Sequence, residues 1–281
     1  MVKIFPILVE EKEYEILVSD EQEALLAAKA AGRAVVGLWD SRHPEQAPFG
    51  VPYLAEAEEA CSAEYLERVM RRHLGLPWRI AETGHLILRE FAGEDWDRLQ
   101  EMLAEAAGGS PLSPWENIPE AFLCREAFDA YRKFQYAFYE YGIWAVIEKE
   151  GGQIIGAAGI WNLEENLEGT LERAEEGALK EDIKRKAEGD EAEPFEAPPL
   201  EIGYWICPAF QRKGYGQEAV NAILSYADEN LESPIYAKIR EENIPSRKLA
   251  VNAGFQLAGA VRPDSRRTES RQLWYQYAPY Y

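Results

Sequence analysis

The chain has 281 residues, 47% of them hydrophobic, and a formal net charge of −20 at pH 7. Its length suits a sizeable core and two domains of about 100–200 residues each, while its charge argues against nucleic acid and anionic membrane surfaces as partners. No apolar run of about 18 residues and no basic-then-apolar leader is present, and Cys61, Cys124 and Cys207 are too few and scattered for a disulfide framework or a metal site. A cytoplasmic protein without a metal is the expectation, and solubility explains the acidity before any cationic substrate does.

Residues 1–84 alternate between the two periodicities. Val2–Val9 and Tyr14–Val18 read as strands, and Glu21–Ala31 reads as a helix closed by Gly32 as its C′ glycine. Ala34–Leu38 is a further apolar strand and Ser62–Leu74 an amphipathic helix. This order predicts a small βαβ-type domain with parallel pairing, in a structural or regulatory accessory role.

His85–Phe91 is the next strand, followed by a helix over Gly93–Leu103 and a Gly/Ser/Pro-bearing loop over Gly108–Asn117. Glu120–Tyr141 reads as a long helix carrying Phe122, Phe128, Tyr131, Phe134, Tyr136, Phe138 and Tyr139; such a stripe is expected to be mainly core. Trp144–Lys149 and Gln153–Ile160 flank Glu150-Gly151-Gly152 as a hairpin. Residues 164–196 then hold thirteen acidic and five basic residues. This insertion, at about 163–199, is expected to be a solvated excursion, and a lid selecting cationic substrates is the sharper alternative.

Leu200–Cys207 is short, aromatic and largely apolar, as a buried strand is. Pro208 breaks it, and beyond Gly216 the residues Ala219, Val220, Ile223, Leu224 and Ala227 recur at helical spacing. Between strand and helix, Gly214 and Gly216 permit sharp turning and close approach to a ligand. A helix N-terminus behind such a loop presents free amides and a positive dipole end to an anion, with Arg212 and Lys213 adding formal charge.

The loop Gln211-Arg-Lys-Gly-Tyr-Gly216 resembles the Q/R-x-x-G-x-G/A acetyl-CoA motif of the GNAT superfamily of N-acetyltransferases. Leu200–Ile206 is similar to the fourth strand of the branch that acetylates ribosomal-protein N-termini, and Ile235–Ile239 reads as the next strand. Asn243-Ile-Pro-Ser-Arg-Lys-Leu-Ala-Val-Asn-Ala-Gly-Phe255 is similar to that branch's N-x-x-S-x-x-(V/L)…G-F signature. The resemblance implies an α/β (α+β) GNAT fold over 85–281: a mixed, mostly antiparallel sheet, splayed at its centre after a bulge and flanked by helices. It also implies acetyl-CoA as co-substrate, an amine acceptor that is a small molecule or a protein N-terminus, and a monomer or homodimer. Within the first domain, the run from Ser19-Asp20 to Gly37 is faintly similar to the later half of haloacid-dehalogenase-like phosphatases. Their nucleophilic Asp-x-Asp is absent, so no activity is carried over.

By the same resemblance, backbone amides from Arg212 to Gln217 would hold the pyrophosphate, with Gln211, Arg212, Lys213, Gly214, Tyr215, Gly216 and Gln217 forming the loop site. Lys248 and Arg247 would meet the remaining phosphates, and Asn243 would hold the pantetheine or the turn. The free edge Tyr204, Trp205, Ile206, Cys207 would pair with the pantetheine arm. Strand alternation sets Glu201, Gly203, Trp205 and Cys207 on one face; Gly203 leaves room beside Glu201, the candidate general base. The tyrosine that many GNAT enzymes use as acid aligns with Ala250, so Ser246 is the candidate to orient or protonate the sulfur. No His lies near Cys207 in sequence, and a buried structural thiol is expected there rather than a nucleophile. The competing reading is a catalytically weak acyl-CoA-binding or sensor module.

Overall fold

The computed structural model describes residues 2–40, 42–56, 61–109, 120–163, 197–261 and 271–278. The acidic stretch 164–196 and most of the loop expected over 108–117 lie outside them. The chain forms two compact units: Met1–Trp78 with Glu90–Trp96 and Pro119–Glu140, and Arg79–Arg89 with Asp97–Ile118 and Tyr141–Tyr281. The division does not fall at one point near residue 84. Arg79–Glu82 finds its hydrogen-bonding partner in the strand that follows it, so it joins the second unit.

In the first unit, strands β1 (Val2–Val9), β2 (Lys12–Ser19), β3 (Ala34–Leu38) and β4 (Leu54–Ala55) form a sheet in that order. The β1–β2 pair is an antiparallel hairpin; β2, β3 and β4 run parallel. Helix α1 (Gln22–Ala30) makes the β2–β3 crossover, so the expected βαβ unit is present. Its C-terminus closes as a Schellman motif: Gly32 sits at φ +76° and donates to Lys29 O, and Arg33 N–H donates to Ala28 O. Alternation along β2 feeds two cores. Ile16 and Val18 pack with Leu66, Val69 and Met70 of helix α2 (Ala63–His73), whereas Leu17 packs with Leu25 and Ala28 of α1. Ser62 caps α2, its Oγ accepting from Tyr65 N–H at 3.1 Å.

The aromatic helix is shorter than expected, with α3 (Trp96–Gly109) before it and α4 running Arg125–Tyr139. Its stripe divides. Phe128 is buried in edge-to-face contact with Phe91 and Phe122, and Tyr136 is buried edge-to-face with Tyr131, while Phe134 and Phe138 are 61% and 78% exposed. Aromatic spacing alone does not distinguish the two faces, because Phe134 and Phe138 are themselves a helical i, i+4 pair.

The second unit holds an eight-stranded sheet. In chain order its strands are β5 (Arg79–Glu82), β6 (Leu86–Arg89), β7 (Ile143–Glu148), β8 (Ile154–Asn162), β9 (Leu200–Ile206), β10 (Ile235–Arg240), β11 (Phe255–Val261) and β12 (Gln272–Tyr277). Their spatial order is β11-β12-β10-β9-β8-β7-β6-β5, antiparallel except for β9 and β10. Helix α5 (Tyr215–Asn230) joins β9 to β10 and buries Ala219, Val220, Ile223, Leu224 and Ala227, the five positions its periodicity predicts. Helix α6 (Ile244–Asn252) follows β10. Among the described residues no helix is long and apolar enough to cross a membrane.

The sheet is open at its centre. β9 pairs with β10 only at Leu200 and Glu201, whereas β10 pairs with β12 from Tyr236 to Arg240. The central strands therefore splay, as expected. The expected bulge is not seen in the β8–β9 ladder, which runs in unbroken register across Leu200–Ile206. The divergence follows β10, which is committed to β12 along its length.

Candidate active site

The end of β9 is fixed by its own backbone. Cys207 N–H donates to Ile155 O, and Pro208, which has no N–H, opens a short turn through Phe210. Gln211 Nε2 reaches back to Ile206 O at 2.8 Å and pins the loop to the strand. Two left-handed residues, Arg212 at φ +62° and Gly214 at φ +88°, then turn the chain into α5. A left-handed arginine is an uncommon conformation whose cost the surrounding contacts must offset.

Gly214 is the N-cap of α5 and provides no side-chain cap. The first helical bond runs from Glu218 N–H to Gly214 O, which leaves the amides of Tyr215, Gly216 and Gln217 ahead of the ladder. Gly216 is where helix meets strand: a Cβ there would lie 3.1 Å from the Tyr204 ring and 3.2 Å from Leu249. The first turn is also tied from below. Tyr215 Oη donates to the buried Glu148 at 2.7 Å, and Glu218 accepts from Thr83 Oγ1 and, at 2.8 Å, from His85 N–H. Burial pushes the Glu218 carboxyl up, but those hydrogen bonds outweigh it and hold the group below its ordinary value. The helix start is thus rigid, with its amides still available.

The cations suggested for phosphate contact are not equivalent. Lys213 lies over the Phe210 ring at 4.9 Å, and Arg212 and Lys248 are exposed. Arg247 is engaged elsewhere, its Nε on Tyr275 Oη at 3.0 Å and its Nη1 on Glu241 O at 2.8 Å. It is part of the α6–β12 packing, its donors turned to the protein rather than to the loop. Trp205, Ile206 and Cys207 are buried, so their main chain, not their side chains, is what β9 offers a ligand.

Glu201 sits directly opposite Trp161 on β8, and Gly203 opposite Gly159. The room that Gly203 leaves is taken by Trp161: a Cβ at Gly203 would fall 2.4 Å from the end of its indole ring. Burial pushes the Glu201 carboxyl up to about 8, and the hydrogen bond to the Trp161 side chain works against that rise. Trp161 was not singled out from the sequence. It is separated from Glu201 by the whole acidic insertion, and only strand pairing brings the two together.

Ser246 lies in the first turn of α6. Asn243 caps that helix, its Oδ1 accepting from Ser246 N–H at 3.3 Å, so the Asx-type role is the one seen. Asn243→Ala is expected to cost about 1 kcal/mol of stability, measurable by urea unfolding. Tyr204 Oη donates to Ser246 Oγ at 3.1 Å across the splay between β9 and α6. Burial raises the Tyr204 phenol above its ordinary value, and the Ser246 bond opposes it. Ala250 is buried and brings no acid. Cys207 is fully buried, with Arg98 Nη2 3.3 Å from its sulfur. Burial pushes its thiol up to about 12, with Arg98 opposing. A thiol so strongly protonated is a poor nucleophile, as expected for a structural cysteine.

A sequence model of the acetyltransferase (GNAT) domain matches residues 85–256, more than half of the chain. The chain belongs to the GNAT acetyltransferase family. Solved structures with a similar fold include a probable acetyltransferase, 20% identical at a TM-score of 0.50, which covers 71% of this chain and 96% of its own. RimL, a ribosomal L7/L12 alpha-N-protein acetyltransferase in complex with coenzyme A, is 14% identical at a TM-score of 0.50, covering 71% and 97%. The ribosomal-protein-S5-alanine acetyltransferase from Vibrio fischeri is 18% identical at 0.49, covering 72% and 95%. At these identities the likeness is one of fold. This GNAT protein is an N-acetyltransferase of a family that uses acetyl-CoA. Its residues fit that co-substrate on two counts: the uncapped amides of α5 and the β9 edge left unpaired by β10. Among the described residues no group of three or more His, Cys, Asp or Glu is placed to hold a metal ion.

Proposed function

We propose that the enzyme moves the acetyl group of acetyl-CoA onto a primary amine by direct attack within a ternary complex. The observation that supports this most is the Trp161–Glu201 pair, a carboxyl lifted to about 8 beside a strand edge that β10 leaves unpaired. Bound acetyl-CoA supplies the activated thioester. The amides of Tyr215, Gly216 and Gln217 bind its pyrophosphate, with Arg212, Lys213 and Lys248 around them. The main chain of Tyr204–Cys207 takes the pantetheine arm, and an N–H there stabilises charge developing on the thioester oxygen.

Glu201 accepts the proton that the amine must lose, directly or through one water, as nitrogen bonds to the acetyl carbon and the carbon–sulfur bond breaks. A base near 8 is well matched to an α-amine, whose own pKa is about 8, and less well to a lysine amine near 10.4. The reading therefore favours an α-amino acceptor, of the kind named for RimL. Ser246, held by the Tyr204 hydroxyl, keeps its own O–H free to donate to the departing sulfur. Ser246→Ala is expected to lower kcat about tenfold to a hundredfold, the worth of a hydrogen bond to a charged atom, with little change in the KM for acetyl-CoA.

The test is release of CoA thiol against a panel of peptides with free α-amines, peptides with only lysine amines, and polyamines. Turnover concentrated on the first group is expected. Tight acetyl-CoA binding without turnover on any amine would replace this reading with that of an acyl-CoA-binding module.

A further inference from the structure

The first unit contains a cavity of about 430 Å³, within the range of small-molecule sites. Five cationic side chains line it, Lys29, Arg33, Arg72, Arg132 and Lys133, against one carboxylate, Asp129. In a chain of net charge −20, this is a local reversal of sign. Its wall includes Val35 and Val69, both almost fully buried, beside Tyr53.

The cations divide by their partners. Arg72 is fixed by Glu90, to which Nε and Nη2 donate at 2.9 and 2.6 Å, and its side chain is only 6% exposed. Arg33 pairs with Glu15, and Arg132 shares Asp129 with Arg125. Lys29 rests on the Gly50 carbonyl and Lys133 over the Phe134 ring. Both are exposed, and neither has a carboxylate partner among the described residues, so each brings to the cavity a positive charge that no ion pair offsets.

We propose that this cavity binds a small phosphate ester, its phosphate held by Lys29 and Lys133 and its organic part lying against Tyr53, Val35 and Val69. A phosphate monoester carries about two negative charges at neutral pH, matching the two ammonium groups without a carboxylate, and lysine binds phosphate as a point charge, without the fork geometry of a guanidinium. The remaining arginines, each already in contact with a carboxylate, shape the cavity.

The experiment is isothermal titration of the full-length protein with glycerol 3-phosphate and with inorganic phosphate. Saturating CoA is present throughout, so that the loop of α5 is filled, and ionic strength is held constant with sodium chloride. Saturable binding of glycerol 3-phosphate is expected. It should weaken at least tenfold in Lys29→Gln/Lys133→Gln and several-fold in Lys133→Gln alone, whose side chain is exposed and whose loss leaves the fold intact. No saturable heat in the wild-type protein would overturn the proposal, as would affinity unchanged from wild type in both variants. Citrate binding as tightly as the phosphate ester would overturn the assignment of phosphate.

Discussion

Glu201→Gln is expected to lower kcat/KM for the amine by about 10²–10⁴, the usual worth of a general base, while leaving the KM for acetyl-CoA near its wild-type value. The wild-type profile of kcat/KM should rise with pH through an apparent pKa of about 8, because only the ionised carboxylate accepts a proton. Trp161→Phe removes the one hydrogen bond that opposes the upward shift, so its inflection should move to higher pH. An unmoved inflection would mean that the amine alone titrates. The same carboxyl predicts a stability effect of opposite sign to the activity loss. Its folded value, about 8, lies above the ordinary 4.5, so the folded state holds the proton more tightly than the unfolded chain. Wild-type stability should then fall as pH rises from about 4.5 to 8, levelling above that. Glu201→Gln escapes this and should be more stable than wild type near pH 8, by on the order of 2 kcal/mol after allowance for partial exposure. Urea unfolding at pH 4.5 and pH 8 measures the difference. A variant that loses activity while gaining alkaline stability would separate a functional carboxyl from a structural one.

Gly159→Ala is expected to destabilise the second unit by about 3 kcal/mol or more, through steric overlap in a core that has no room to relax. A Cβ at Gly159 would lie 2.1 Å from the Gly142 carbonyl oxygen and 2.6 Å from Ile143 Cα, both main-chain atoms of the adjoining strand region. β8 is a central strand, paired on both sides, so movement away from one neighbour is movement into the other. Gly152→Ala is the comparison: its φ is +64° and a Cβ there meets nothing within 4 Å. That substitution carries only the conformational cost, about 1 kcal/mol. Urea midpoints should separate the two clearly. Similar midpoints would show that the strand relaxes far more than its packing suggests.

Both predictions depend on a site that was only partly legible in the sequence. The loop Gln211–Gly216 and the burial face of α5 were readable because everything that makes them is local: glycine conformational freedom, a proline stop, and a 3.6-residue period. The Asn243 cap and the closure of α1 at Gly32 were readable for the same reason. Glu201 could be placed on a face of β9 by alternation, but what surrounds it could not. The Trp161 indole that fills the space beside Gly203 arrives from a strand on the far side of the acidic insertion, and no local pattern encodes that register. The Tyr204–Ser246 bond and the engagement of Arg247 by Tyr275 are likewise contacts between distant elements. Short strands were missed where pairing creates them: β4 has two residues, and β5 exists through its hairpin with β6.

The amino-acid sequence by itself determined the anion cradle, its position between strand and helix, and the family motif it carries. Those follow from backbone chemistry acting over a few residues. The tertiary structure decided what the cradle works with: a half-buried carboxyl set against an indole, a serine held by a tyrosine, a thiol locked away under Arg98. It also gathered Lys29 and Lys133, far apart in an acidic chain, around one cavity. Desolvation and long-range pairing set those properties, and neither exists until the chain has folded.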